Sequence, residues 1–426
     1  MGVSAGKEAV LAATRDHVAP HRVRVWDAFG TQLVMGRREG YRMWDLSGHE
    51  LLDFHLNGGT FNLGHRNPDV IDALVTALGE VDIGNHHFAS AERAALAADL
   101  AACAPGDMPY SVFASGGSEA IDIAIKTARH ATGRRRVLGL DAGYHGKTGL
   151  SGAAGADAGA RFFHSDLPDD FATVRFADAE AIEHALAAEE FAAVIIETIP
   201  ATYGFPVVPD GYLPAIRAAA ERHGALYIAD EVQAGLGRTG HLWGVQTYGV
   251  EPDLMVTGKG LSGGIYPIAA AVVRADAAGW LHEYGWGHVS TFGGSELGCR
   301  VAAKVLEITQ RTETTANVRH LIARYRDGLA AIAADEPYLV EVRQSGLVIG
   351  LRVDHPDGAI FLQQELYGLG LWAIASGYDQ SVLQFKPGLL LTDAEVDRSL
   401  ELLAEGLRRA KEADRPVPSR HPQPRS

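Results

Sequence analysis

Two residues with reactive side chains close apolar runs in this chain: Asp230 ends "YIAD" and Lys259 follows "DLMVTG". A third feature, the small residues Ser115 to Ser118, leads directly into the helical pattern "SEAIDIAIK". Side chains at the carboxyl ends of buried parallel strands sit where open α/β sheets bind ligands. A run of small residues at a helix start offers free backbone N–H groups and the positive end of the dipole to a phosphate. Taken singly, these features read as a turn residue, a solvated cation and a tight turn. Together they fit one chemistry: pyridoxal phosphate held by a lysine as a Schiff base, with a carboxylate keeping its pyridine nitrogen protonated.

Two glycine-rich stretches mimic other phosphate sites. Gly235-Leu236-Gly237-Arg238-Thr239-Gly240 spells the dinucleotide fingerprint. That fingerprint needs a strand ending at its first glycine and a helix opening inside it. The candidate strand "ALYIAD" ends earlier, at Asp230, and "HLWGVQTYGVEPD" has no helical period. Gly146-Lys147-Thr148 resembles the end of a P-loop, but the first glycine of that motif would fall on Asp141.

The elements that must position these residues are legible as alternating strands and helices. Strands are expected at "VLGL" (137–140), "AAVIIET" (192–198), "ALYIAD" (225–230), "DLMVTG" (253–258) and "IAAAVV" (268–273). Most are continuous apolar runs, as in strands buried on both faces. Helices are expected between several of them, one beginning near Ser118 as a capping residue and ending at Gly133, another ending at Gly224. This alternation predicts an α/β fold with a mostly parallel central sheet. From about residue 300 the pattern changes: a long helical stretch from Glu296 running on past Ala316, shorter strands in "YLVEVRQSGLVIGLRV", and a last helix from Asp393. These, with an N-terminal hairpin in "GYRMWDLSGHELLDFH", predict a smaller α+β domain. The expected division is 1–60 contributing to the small domain, 61–305 as the large domain, 306–412 as the C-terminal small domain, and 413–426 as a disordered tail.

Composition narrows the class. The chain has 426 residues, is 47% hydrophobic and carries a net charge of −15, with no basic stripe of the kind nucleic-acid binders show. No run approaches the length of a membrane span, and the start "MGVSAGKEAV" has no secretory h-region. Two cysteines, Cys103 and Cys299, are too few for a disulfide framework. A cytoplasmic enzyme acting on a small molecule is expected, with no nucleic-acid or membrane partner. His86 and His87 lack a third ligand at fixed spacing, so no metal is expected.

The segments "GHRNP", "ASGGSEA", "YHGKT", "AAVIIETIPATYGFPVVPDGYL", "GALYIADEVQAGLGRTG", "PDLMVTGKGLSGG" and "STFGG" occur in an order that resembles the class III aminotransferases, the ornithine, acetylornithine, diamine and γ-aminobutyrate type. The resemblance runs from about Val23 to Ala410 and implies the fold type I architecture of pyridoxal-phosphate-dependent transferases. It implies that Lys259 makes the imine link to the cofactor and that Asp230 pairs with the pyridine nitrogen. Gly117 and Ser118 would bind the phosphate, and Tyr144 would stack on the ring beside His145. Gln233 would lie near the ring hydroxyl, and Glu197 near Asp230. Thr291 would reach the phosphate of a neighbouring subunit, which implies a homodimer. The glycines of the false fingerprint belong to the loop after the acid.

The sequence departs from the family on the substrate side. The arginine of "HGRT" is Lys147, the glutamate of "EPIQGE" corresponds to Thr202 in "ETIPATYG", and the arginine of "R-x-x-P-P-L" corresponds to Gln384 in "LQFKPGLL". Family members use these positions to read substrate carboxylates. Losing the glutamate and the arginine together avoids stranding a buried charge. Lys386, Arg300 and Arg66 are candidate replacements, and Thr60 and Phe61 of "LNGGTFNLGH" are candidates to line the substrate side. The expected reaction moves an amino group from an amine or atypical amino acid to an oxo acceptor by a ping-pong mechanism. The alternative on the same cofactor is decarboxylation, or β/γ-elimination and replacement including carbon–carbon bond formation, in specialised metabolism.

Overall fold

The computed structural model describes residues 6–155 and 158–413. The expected tail lies, from residue 414 on, outside the described residues. The N-terminal part contributes strands β1 (Met35–Glu39), β2 (Arg42–Asp45) and β3 (Glu50–Asp53). The central sheet is made of β4 (Tyr110–Ala114), β5 (Arg136–Leu140), β6 (Phe171–Val174), β7 (Phe191–Glu197), β8 (Leu226–Asp230), β9 (Leu254–Thr257) and β10 (Ala269–Val273). The C-terminal part adds β11 (Leu339–Ser345), β12 (Val348–Val353), β13 (Leu371–Trp372), β14 (Ile374–Ala375) and β15 (Val382–Phe385).

The seven central strands run in the order β4-β10-β9-β8-β7-β5-β6. All neighbours are parallel except β10, which is antiparallel to both β9 and β4. The sheet is therefore mixed and mostly parallel. The apolar run of β10 announces a buried strand but not its direction. Strands β4 and β6 escaped the sequence reading because "YSVFA" and "FATV" are short and only partly buried.

Both faces of this sheet are covered, and the pleat shows how. Along β7, Val194 and Ile196 enter one apolar cluster while Ala193 and Ile195 enter another. Along β8, Tyr227 and Ala229 join the first and Ile228 the second. With period-2 side chains committed to core on both sides, polar groups on these strands come out at the ends. The end that matters is where β4, β5, β7, β8 and β9 all finish.

The helix after β4 runs Gly117–Thr132 and stops at Gly133, whose φ of 67° is the left-handed conformation that favours glycine. The expected cap by Ser118 is not made: Gly116 is the N-cap residue and no side chain caps the helix. The long C-terminal helical stretch is two helices, Glu296–Gln310 and Thr312–Asp335, broken where Arg311 takes an extended ψ of 142°. The last helix, Asp393–Ala410, opens with a reciprocal cap between Thr392 and Glu395.

The N-terminal hairpin and the C-terminal part of the chain meet. Strand β3 pairs in parallel with β13, so the N-terminal hairpin becomes part of a sheet that residues 371–372 complete. Strands β11, β12, β15 and β14 form a separate small sheet. One apolar cluster, holding Phe54, Leu56, Tyr325, Leu351, Phe385 and Leu403, joins the N-terminal hairpin to the C-terminal helices.

Candidate active site

The carboxyl ends of the central strands enclose one cavity, lined by Gly117, Ser118, Tyr144, His145, Glu197, Asp230, Gln233 and Lys259, together with Gly146, Ile199, Val232 and Ala234. The sheet register explains the convergence. Glu197 and Asp230 end neighbouring strands and are paired partners in the ladder. Lys259 follows β9 by two residues, with φ at 40°, uncommon for a residue with a Cβ. Tyr144 and His145 follow β5, and Gly117 and Ser118 open the helix after β4.

Asp230 is the hub. Its Oδ2 faces His145 Nδ1 at 2.8 Å, and its Oδ1 accepts from the Val232 N–H at 3.0 Å. Burial alone would lower the His145 pKa, but the Asp230 hydrogen bond and the Asp230 and Glu197 charges outweigh it and raise it. Nδ1 therefore donates to Asp230, and the buried Nε2 has no partner. Glu197 accepts from the N–H groups of Tyr144 (2.8 Å) and Ala201 (3.2 Å). Burial first, then the Asp230 charge, pushes its carboxyl up to about 7 against the pull of His145 and the two N–H donors. Lys259 moves the other way: burial lowers its pKa, opposed by the Asp230 and Glu197 charges. Its Nζ stands 5.9 Å from the centroid of the Tyr144 ring.

These features fit pyridoxal phosphate. The helix start at Gly117 has no side-chain cap, so its N–H groups remain for a phosphate. The Ser118 hydroxyl lies at the same end and accepts from the Lys147 N–H at 3.4 Å. The cradle is close-fitting around the lysine: a Cβ on Gly58 would come within 3.0 Å of Lys259 Cε and 3.2 Å of Gln233 Oε1. Gly58 escaped the reading of "LNGGTFNLGH", although its paired glycines were the available signal. Their φ values of 71° and 96° show why glycine is needed there.

The remaining candidates fall elsewhere. Thr291 is exposed and outside this cavity. Thr60 bonds locally to the Asn57 carbonyl at 3.0 Å, and Phe61 stacks on His65 at 3.9 Å. Neither lines the cavity, and nor do Lys147, Thr202 or Gln384. Lys147 holds its Nζ 5.6 Å from the Tyr144 ring centroid. The Thr202 hydroxyl donates to the Ala142 carbonyl, and Gln384 Nε2 donates to the Ala201 carbonyl at 2.7 Å. Arg300 pairs with Glu80 and Glu92 away from the site.

The glycine-rich loop of the false fingerprint serves as a clamp. Gly237 and Gly240 take φ of 87° and 95°, and Arg238 between them is fully buried. Its guanidinium donates to Asn62 Oδ1 and to the carbonyls of Pro387 and Leu347, tying three distant segments together. Glu231, also missed, anchors the same loop: it accepts from Thr198 and from the N–H groups of Gly244 and Val245.

Residues 27–407 match the class III aminotransferase family model. The chain belongs to the class III aminotransferases. It is 45% identical over 399 residues to an uncharacterized aminotransferase from Archaeoglobus fulgidus, covering 94% of each chain. It is 32% identical over 417 residues to a putrescine aminotransferase from Pectobacterium atrosepticum, covering 94% of this chain and 88% of that one. Among solved structures, the ornithine aminotransferase of Toxoplasma gondii superposes with a TM-score of 0.86 at 26% identity, covering 96% of this chain and 97% of that one. Another structure of that enzyme has pyridoxal phosphate at partial occupancy in its active site. The fold is fold type I, and the chain is a class III enzyme of amino transfer. The alternative of decarboxylation or elimination and replacement finds no support in these relatives.

Proposed function

We propose that this class III aminotransferase holds pyridoxal phosphate in the cavity at the strand ends and takes nitrogen from an amine or atypical amino acid. One observation supports this above the others: the Lys259 amine and the His145–Asp230 pair share a single buried cavity with an uncapped helix start. Gly117 and Ser118 would hold the phosphate, Asp230 the pyridine nitrogen, Tyr144 a ring face and Gln233 the ring hydroxyl. Bound there, the cofactor supplies an electron sink for negative charge on the substrate carbon beside the transferred nitrogen.

The protein's own groups do the rest. Lys259 Nζ is the base that moves the proton on that carbon, and its lowered pKa frees the amine nearer neutral pH. His145 donates to Asp230 and fixes the direction of its carboxylate. Glu197, tied to the Tyr144 N–H, holds the ring-stacking residue in place. Glu197, Asp230 and His145 form a buried floor, where charge interactions are stronger than in water.

The same reading makes the enzyme a homodimer in which Thr291 serves the neighbouring site. The exposed side chains of Trp286, Val289 and Phe292 around Thr291 are apolar surface that a second subunit would cover. It divides the chain as expected from sequence, with a large domain at 61–305 and a small domain from 306–412 and the segment before residue 61. It also carries the expectation of a cytoplasmic enzyme of specialised metabolism.

The test is a panel of amines and amino acids offered to the purified protein with pyridoxal phosphate and an oxo acid. Absorbance reports the cofactor and mass spectrometry the products. Conversion of a donor to its oxo product, matched by amination of the acceptor, is the expected result. Release of carbon dioxide or a leaving group without nitrogen transfer would overturn it.

A further inference from the structure

The helix Gly117–Thr132 carries an acid, Glu119, in its first turn. An acid there suits the helix dipole, but it competes with a phosphate for the same N–H groups and repels it. The structure turns this carboxylate away from them. Oε2 reaches back past the N-cap residue Gly116 and accepts from the Ser115 N–H at 2.8 Å and the Ser115 hydroxyl at 2.7 Å. Oε1 stands 3.3 Å from His288 Nε2. Lys126 Nζ donates to the other ring nitrogen, Nδ1, at 2.9 Å, so the ring hydrogen is on the nitrogen that faces Glu119. Ser290 is a further hydrogen-bond partner. Burial would raise the Glu119 pKa, but the Ser115 and Ser290 hydrogen bonds outweigh it and lower it, so the group is ionised at neutral pH.

The arrangement is half of a capping box. In the complete motif a polar N-cap side chain bonds to the N–H of the third helical residue, whose glutamate reaches back to the N-cap N–H. Here Gly116 brings no side chain, and Glu119 reaches one residue further, to Ser115. The first N–H groups of the helix stay available, and the segment before them is held. Packing secures this turn on its inner side: a Cβ on Gly117 would come 3.2 Å from Cγ1 of Val232, which lines the cavity. On the outer side a Cβ on Gly116 would meet nothing within 4 Å, and Ser115 is exposed. There the Glu119 bonds stand in place of packing.

We propose that Glu119 is a positioning residue for the cofactor phosphate: by holding Ser115 from outside the cavity, it aims the N–H groups of Gly117 and Ser118 into it. The inference rests on the reading of the cavity as the pyridoxal phosphate site. It gives the carboxylate an acceptor's role that its own charge opposes, since carboxylate and phosphate are both anions. Removing the acceptor should weaken phosphate binding, and removing only the charge should not.

The test resolves the cofactor from the holoenzyme and titrates it back, as pyridoxal phosphate and as pyridoxal, which lacks the phosphate. Visible absorbance is the readout. Glu119→Ala should bind pyridoxal phosphate about tenfold more weakly than wild type, and pyridoxal within about twofold. Glu119→Gln, which keeps an acceptor for Ser115 and drops the charge, should bind pyridoxal phosphate within about twofold of wild type. Equal pyridoxal phosphate affinity in wild type and Glu119→Ala overturns the proposal. So does an equal loss for both cofactors, the mark of a merely structural role. A Glu119→Gln variant as weak as Glu119→Ala also overturns it, because charge would then be the cause. If Glu119→Ala fails to fold, Ser115→Ala takes its place: it lacks one of the two bonds and should lose about fourfold on pyridoxal phosphate alone, and unchanged affinity overturns the proposal. Wild-type protein that binds neither cofactor overturns the reading of the cavity as well, whereas each of the other failures overturns the role of Glu119 alone.

Discussion

The cavity and the polar wall beside it are held together by different forces. At the strand ends, Asp230, Glu197, His145 and Lys259 line one cavity, and the Asp230 charge acts on the other three. Beside it, Thr202 and Gln384 are tied to backbone carbonyls, and Lys386 donates to Gln384. Coulomb interactions in a buried site are strong and act over several ångströms, whereas neutral hydrogen bonds are weaker and directional. The first arrangement suits chemistry, where removing a charge removes the reaction. The second suits support, where directional bonds fix the loop whose Ala201 N–H donates to Glu197.

The sharpest way to break this contrast is Lys259→Ala. Loss of the base should cut kcat on the order of 10³-fold or more. The fold should survive, because alanine meets the same positive φ and the buried amine was opposed by burial. Circular dichroism and thermal melting check the fold, and borohydride labelling with pyridoxal phosphate checks the lysine. Retained turnover, or covalent labelling at another residue, would remove Lys259 from its role. Asp230→Asn comes next, with an expected loss of about 10²-fold in kcat and little change in KM for the donor. Near-normal kcat would show that the carboxylate is only a partner for His145.

How much of this was legible in the sequence follows the same division. Asp230 and Lys259 stand out because a charged residue ending an apolar run breaks the pattern locally. Glu197 ends the fully buried strand β7 in the same way. The wall beside the cavity has no such signal: Gln384 meets Ala201 across 183 residues, and Lys386 looks like any loop lysine until its burial is known. The direction of β10, the break at Arg311 and the capping of the phosphate-side helix were lost for a related reason. Strand pairing and helix packing decide them, and neither is a local property of composition.

A smaller effect tests the charged end through stability. Glu197 and Glu231 are each held up to about 7 by burial. Between the ordinary carboxyl range and about 7, the folded protein keeps protons that the unfolded chain has released. Stability from each group is thus full at low pH and falls as pH rises through that window, by up to about 1.4 kcal/mol per unit. His145, with its raised pKa, adds to the fall above the ordinary histidine range. In cofactor-free protein, Glu197→Gln should flatten the decline in unfolding free energy between pH 4.5 and 7, measured by urea titration at each pH. Superimposable slopes for wild type and variant would mean that Glu197 is ionised throughout, and the charge coupling argued for this end would be wrong.

The smallest expected effect probes the neutral wall. The Thr202 hydroxyl donates to the Ala142 carbonyl, while the Thr202 carbonyl accepts from Ser376 and from the Tyr378 N–H at 2.9 Å. Thr202→Val keeps the shape and both carbonyl bonds and removes the hydroxyl. The loss should be about 1 kcal/mol, seen as a fall in Tm of about one to three degrees. Because Thr202 does not line the cavity, kcat should stay within about threefold and the ranking of donors should not move. Gln384→Glu, by contrast, sets a carboxylate oxygen against the Ala201 carbonyl to which Nε2 now donates at 2.7 Å, and should cost about 1–3 kcal/mol. If Thr202→Val reorders the donors, the wall takes part in selection, and the contrast between a reacting side and a supporting side fails.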